Sequence, residues 1–179
     1  MARIPYLPLE QMPDKTREML DRSPNPPLNI QLALAHAEKS IRHYARFGNS
    51  LQTQAKLDAR YREITILRVA TLTNCTYEWN QHLRHARRVG LTEEHIAGTK
   101  AGGGEVFTEQ EKAVIRYTDE VVRKVKASDE AFAAIQSFLD PREIAELTLS
   151  ICYWEMVAKC IESLGIDPGK IYRRVREQD

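Results

Sequence analysis

Four side chains that can move protons or attack electrophiles lie close together in the sequence. Glu63, Cys75, Glu78 and His82 follow the pattern Glu-x11-Cys-x2-Glu-x3-His. Because an α-helix has about 3.6 residues per turn, the last three are expected on one helix face. Glu63 falls on the preceding helical segment, and antiparallel packing of the two segments would bring it near His82. A histidine held by a carboxylate is suited to proton transfer.

Each of these residues also has a structural interpretation when it is taken alone. Glu63 could pair with Arg60 or Arg62 at a surface, and His82 could be a hydrogen-bonded histidine in the core. A cysteine such as Cys75 is most often a small buried apolar residue. The joint spacing of the four residues favours a functional cluster over three separate structural roles.

Aromatic residues near the cluster are candidates for the walls of a substrate pocket. Tyr77 and Trp79 share the segment of His82, and Tyr153 and Trp154 lie near the end of the chain. All four could equally belong to the core or to a subunit contact, which is the slightly favoured interpretation. We keep Tyr77 and Trp79 as predicted pocket residues.

A metal site is a weaker interpretation of the same stretch. Glu78 and His82 are four residues apart and could share an ion, with His85 one turn further on. Cys75 is about 10 Å from His82 along the helix axis, too far for both to bind one ion easily. The sequence therefore predicts a site with no metal.

The chain is predicted to be helical throughout, because no alternating pattern of strand length stands out. Asn29 and Asn74 are predicted helix N-caps, Gly90 is a predicted left-handed C-cap, and Thr108 opens a capping box. The predicted helices are residues 8–22, 29–38, a segment to 51, 57–73, 75–89, a short helix from Thr92, 108–126, and two helices opened by Ser128 and Asp140, the second reaching 164.

Size, charge and cysteine content narrow the class of protein. A chain of 179 residues with a net charge of +1 gives no indication of a nucleic-acid or membrane partner. Three cysteines with no framework spacing favour the reducing cytoplasm, and we expect Cys152 and Cys160 to pack in the core. The N-terminus lacks the features of a secretory signal, and no apolar stretch is long enough to span a membrane.

The spacing resembles that of the carboxymuconolactone decarboxylase family, which includes the alkylhydroperoxidase AhpD. AhpD-like members carry Glu-x11-Cys-x2-Cys-x3-His, and here Glu78 stands at the place of the second cysteine. The run YEWNQH, residues 77–82, is similar to a variant of the family that lacks the cysteine pair. The resemblance predicts an N-terminal helix and linker at 1–26, a family domain at 27–165 and a tail at 166–179.

The resemblance implies an AhpD-like helical bundle that forms a homo-oligomer and acts on a small molecule without a cofactor. By analogy with the decarboxylases, His82 would donate a proton, Glu63 would orient the His82 ring, and Glu78 would be a second acid or base. Cys75 would then have a supporting role. Two alternatives remain open: a thiol-dependent hydroperoxidase that uses Cys75 alone, and a non-catalytic binding protein on the same fold.

Overall fold

A computed structural model describes residues 2–22 and 26–168 of the chain. Over these residues the structure has nine α-helices, one short 3₁₀ helix and no strand, which confirms the all-α prediction. The 3₁₀ helix is Leu9–Gln11, and the α-helices are α1 (Asp14–Asp21), α2 (Asn29–Leu34), α3 (Ser40–Thr53), α4 (Ala59–Leu72), α5 (Thr76–Arg88), α6 (Glu93–Ala101), α7 (Glu109–Lys124), α8 (Asp129–Gln136) and α9 (Pro141–Leu164).

The chain divides into two compact units, Met1–Ser50 with Cys160–Asp179, and Leu51–Lys159. The domain boundaries drawn from the sequence stay a prediction. Residues 23–25 of the predicted breaker loop, and the predicted tail from residue 169 onward, lie outside the described residues.

Two predicted helices of the first unit are shorter than expected. The single helix predicted at 8–22 is a 3₁₀ turn and α1, separated at Pro13, whose ring removes a backbone donor. The helix predicted at 29–38 stops at Leu34, and Asn29 is its first residue while Leu28 is its N-cap. Beyond α2 the chain turns, and His36 Nε2 lies 2.9 Å from the carbonyl oxygen of Pro5.

Helix α4 is the centre of the second unit and packs against α5, α6 and α7. Its residues 62–70 are buried without interruption. A helix that is buried all round has no solvent-facing side for its polar residues. Its charged side chains therefore need partners inside the protein, and Glu63 and Arg68 have them.

Arg68 links α4 to both α6 and α7. Its guanidinium makes a two-pronged contact with Asp119 on α7, with Nη2 2.7 Å from Oδ2. Its Nη1 donates to the carbonyl oxygens of Thr99 and Lys100 near the end of α6, at 3.1 and 3.2 Å. One buried cation thus neutralises a carboxylate and satisfies helix-terminal carbonyls of a second helix.

Several helix ends follow the sequence prediction closely. Thr92, Thr108 and Ser128 are the N-caps of α6, α7 and α8, and their hydroxyls each accept a backbone hydrogen bond. Asn74, by contrast, is not an N-cap: it adopts the left-handed conformation with φ of 54°, and Cys75 is the N-cap of α5.

The cysteines of α9 are not the core residues that the sequence indicated. Cys152 is exposed and Cys160 is half-buried. Leu149 and Met156, which lie three and four residues from Cys152, are also exposed. Helix α9 therefore also has apolar side chains on an exposed face. No helix among the described residues is long and apolar enough to cross a membrane.

Candidate functional site

A tight turn between α4 and α5 brings the predicted cluster together. The N–H of Cys75 donates to the carbonyl oxygen of Ala70 at 2.9 Å, and the N–H of Asn74 donates to that of Thr71 at 3.2 Å. With Asn74 in the left-handed conformation, these two bonds form a Schellman motif, which ends α4 and reverses the chain. The two helices consequently run antiparallel, as the spacing predicted.

Glu63 and His82 form a buried hydrogen bond across the two helices. His82 Nδ1 lies 2.8 Å from Glu63 Oε2. The side chain of Glu63 is 2% exposed and that of His82 is 11% exposed. The predicted meeting of a carboxylate on one helix with an imidazole on the next is confirmed by this distance.

Trp154 of α9 occupies the other nitrogen of the same ring. Its indole N–H donates to His82 Nε2 at 3.0 Å, and the two rings meet edge to face. Because Nε2 accepts this bond, it carries no proton, and Nδ1 carries the proton that is donated to Glu63. The sequence predicted that Trp154 lies in the core or at a subunit contact. The only signal in the sequence was its type, since a buried indole N–H needs an acceptor.

Glu78 is the second carboxyl of the site. Its Oε2 lies 3.7 Å from His82 Nε2, one turn away on α5. Burial raises the pKa of Glu78 above its ordinary value, and the charge of Glu63 adds to this, while His82 acts in the opposite direction. The prediction that Glu78 and His82 share one face of the helix is confirmed.

His82 is subject to opposing influences. Burial lowers the pKa of its imidazole, but the hydrogen bond and charge of Glu63, together with the charge of Glu78, outweigh burial and raise that pKa. The site is therefore an imidazole hydrogen-bonded to one buried carboxyl group, with a second carboxyl group 3.7 Å from its other ring nitrogen.

The other predicted site residues lie at the start of α5, with Cys75 as its N-cap and Tyr77 and Trp79 in the helix. The side chain of Cys75 is fully buried and that of Tyr77 is 4% exposed. Trp79 is half-buried, and Lys100 Nζ lies 5.6 Å from the centre of its ring. Trp79 thus faces α6.

Little of the cluster is exposed to solvent. Three surface cavities lined by described residues lie elsewhere, and neither Glu63, Glu78 nor His82 belongs to their walls. The small exposed fractions of His82 and Glu78 mark the edge at which the cluster meets solvent. Within residues 2–22 and 26–168, no three His, Cys, Asp or Glu side chains are arranged to hold a metal ion.

Comparison with known proteins agrees with this arrangement. Residues 39–120 match the model of the carboxymuconolactone decarboxylase family. These residues include Glu63, Cys75, Glu78 and His82. A comparison with curated protein sequences finds no match.

Three solved structures are similar in fold over nearly the whole chain. An uncharacterized peroxidase-related protein from Silicibacter sp. TM1040 is 13% identical, with a TM-score of 0.80 over 96% of this chain and 93% of that one. An AhpD-core, uncharacterized peroxidase-related protein from Ralstonia eutropha JMP134 is 16% identical, with a TM-score of 0.79 over 96% and 94%. The debrominase Bmp8, solved with 2,3,4-tribromopyrrole, is 10% identical, with a TM-score of 0.73 over 92% and 89%.

At these identities the three structures establish the fold alone. The match of residues 39–120 to the family model covers the antiparallel helices that carry the Glu63–His82 pair. The chain therefore has an AhpD-like all-α fold, and its residues 39–120 are similar to the carboxymuconolactone decarboxylase family.

Proposed function

We propose that the protein catalyses cofactor-independent acid–base chemistry on a small carboxylated lactone or a similar substrate, by decarboxylation or a related lyase or isomerase step. The observation that carries this proposal is the buried hydrogen bond between Glu63 and His82, with Glu78 beside the opposite ring nitrogen. Three proton-binding groups in a dry site provide what such a reaction needs.

Decarboxylation sets two tasks for the site. The bond between the substrate carbon and its carboxylate breaks, carbon dioxide leaves, and the electron pair spreads onto the lactone carbonyl as an enolate. The site then delivers a proton to the carbon and stabilises the charge that develops on the oxygen. Nε2 of His82 is the ring nitrogen on the side away from Glu63, so the imidazole protonated at Nε2 is the form that would deliver this proton.

The two carboxyl groups have different roles in this proposal. Glu63 accepts from Nδ1, fixes the ring orientation and makes Nε2 more basic. Burial raises the pKa of Glu78, which favours its neutral acid form, and this carboxyl would be a second proton source close to Nε2.

The test is turnover of the His82→Ala variant. We expect it to keep its helical content, as measured by circular dichroism, and to lose release of carbon dioxide from carboxymuconolactone by at least about 100-fold, since general acid–base groups contribute about that much or more. His43→Ala, an exposed histidine of α3, is the matched control and should retain turnover. Normal turnover by the folded His82→Ala variant would refute the proposal.

A hydroperoxidase that uses one cysteine is the second candidate, because two of the similar structures are described as peroxidase-related. It places the reaction on Cys75, whose side chain is fully buried, whereas reactive thiolates are partly exposed. Cys75→Ala decides the matter. If thiol-dependent hydroperoxide consumption is unchanged, Cys75 is not the nucleophile.

A binding protein without turnover is the third candidate. It would be favoured by a Glu63 held mainly by arginine. Arg62 Nε lies 3.9 Å from Glu63 Oε1, whereas His82 is at hydrogen-bond distance from Oε2. The shorter contact with an ionisable ring supports a proton-transfer role over a purely structural one.

A further inference from the structure

Trp154 covers the ring nitrogen that the proposed reaction needs. Its indole is 4% exposed and its N–H donates to His82 Nε2 at 3.0 Å. The ring of Tyr153 packs against it at a centroid distance of 4.8 Å. Glu78 Oε2 lies 3.7 Å from the same ring nitrogen.

The two hydrogen bonds of His82 are compatible with only one protonation state. Nε2 accepts from the indole and Nδ1 donates to Glu63, so the imidazole is neutral. An indole nitrogen has no lone pair available to accept a hydrogen bond. When Nε2 gains a proton, two N–H groups therefore point at each other, and the indole has to move or turn away.

We propose that Trp154 is a positioning residue that holds His82 as the Nδ1–H tautomer and leaves Nε2 whenever that nitrogen carries a proton. In the neutral state the indole N–H occupies Nε2. In the protonated state Nε2–H turns to Glu78, and the indole is released. That this release exposes Nε2 to substrate rests on the proposed function, but the coupling between the indole and the protonation of His82 does not.

Groups on three helices face His82 and affect its protonation. Helix α4 contributes Glu63 and Arg62, and α5 contributes Glu78 and His85, whose ring centre is 5.5 Å from that of His82. The contribution of α9 is the uncharged indole. Carboxylates stabilise the protonated imidazole, whereas the indole N–H stabilises the neutral form alone.

The first measurement is made on the unmodified chain and requires no turnover. Nuclear magnetic resonance of ¹⁵N-labelled protein follows the indole N–H signals and the ring nitrogens of His82 against pH. The Trp79→Phe variant identifies the remaining signal as that of Trp154. We expect this signal to shift with the same midpoint as His82. A Trp154 indole signal that stays constant while His82 titrates would overturn the proposal.

The second measurement separates the donor from the bulk of the ring. In the Trp79→Phe background, growth on β-(3-benzothienyl)alanine replaces only Trp154, and sulfur takes the place of the N–H group with nearly the same shape. Loss of the bond destabilises neutral His82, so its titration midpoint should rise by about 0.5 to 1 pH unit. Trp79→Phe with ordinary Trp154 is the matched control. An unchanged midpoint in the analogue would refute the role of the N–H.

The two proposals fail separately. If His82→Ala leaves turnover intact, the proposed function is wrong while the indole titration still stands. If the Trp154 signal does not follow the titration of His82, the positioning role is wrong, and the proposed acid–base role of His82 is unaffected. Trp154→Phe adds a kinetic readout: a shifted pH profile of kcat is expected, whereas loss of packing alone would lower activity equally at all pH values.

Discussion

Burial of Glu78 makes the stability of the fold depend on pH, and the direction of this dependence can be measured. Its carboxyl is 8% exposed and its pKa is raised, mainly by burial. The folded chain thus binds the proton of Glu78 more tightly than the unfolded chain does. Stability contributed by the neutral acid is fully present below the unfolded pKa and is lost as pH rises through the folded pKa.

The Glu78→Gln variant should remove this loss. Glutamine resembles the neutral acid in shape and carries no charge at any pH. We expect the variant to exceed the parent in free energy of unfolding by on the order of 1 kcal/mol at pH 8, with the difference shrinking as pH falls. Urea unfolding between pH 4 and pH 8 measures it. Glu162→Gln, at an exposed position of α9, should show no such trend. A difference that grows toward low pH would contradict the prediction.

The sequence predicted the contact between residues of two consecutive helices, but it did not predict the contact with a residue from a distant helix. The Glu63–His82 pair followed from counting residues along two helices. Trp154 reaches the same ring from α9, and no local periodicity relates that helix to α5. The burial of Cys152 was predicted wrongly for a related reason, since an apolar pattern does not say which face of a long helix finds a partner.

At the scale of elements, the cap residues were predictable and the lengths of the shorter helices were not. Thr92, Thr108 and Ser128 cap their helices through bonds that involve only neighbouring residues. The early end of α2 coincides with the contact of His36 to the carbonyl of Pro5, which joins distant parts of the sequence. Helix caps that depend on neighbouring residues can therefore be predicted from a sequence, whereas helix ends that are set by tertiary contacts cannot.

The C-terminal end of α7 holds a strained residue. Val125 has a φ of 64° and is 90% exposed. The left-handed conformation therefore strains its backbone, and no packing of its side chain offsets the strain. Val125→Gly should raise the free energy of unfolding by about 1 kcal/mol. Thermal unfolding measures the change. Lys124→Gly, one residue earlier within the helix, should lower stability by about as much. Equal effects of the two substitutions would argue against strain at Val125.

The Arg68 contacts join three helices of the second unit. Arg68→Met keeps most of the aliphatic length but leaves Asp119 without its cation and two carbonyls of α6 without a donor. We expect a loss of about 3 to 5 kcal/mol, as is typical when one partner of a buried ion pair is removed. Chemical denaturation gives the value. The double variant Arg68→Met, Asp119→Leu should recover part of the loss, and an additive further loss would show that the pair is not the cause.

At the scale of the whole molecule, we propose that the chain assembles into a homo-oligomer, as its resemblance to the family implied. Leu149, Cys152 and Met156 form one exposed, largely apolar face of α9. Exposed apolar faces of this kind are common at contacts between proteins.

Light scattering with size-exclusion chromatography tests the assembly. We expect a mass that is a multiple of the chain mass, and a smaller multiple for Leu149→Asp. Phe132→Asp, at an exposed aromatic position on α8, is the control and should keep the parental mass. A single-chain mass at all concentrations would contradict the proposal.

The Schellman turn at Asn74 has a consequence for how this site tolerates change. It fixes the number of residues between the carboxylate and the imidazole, and each residue added or removed inside either helix rotates one partner by about 100° around its axis. The pairing thus depends on the number of residues between the two partners, and a single residue inserted or deleted inside either helix would disengage it.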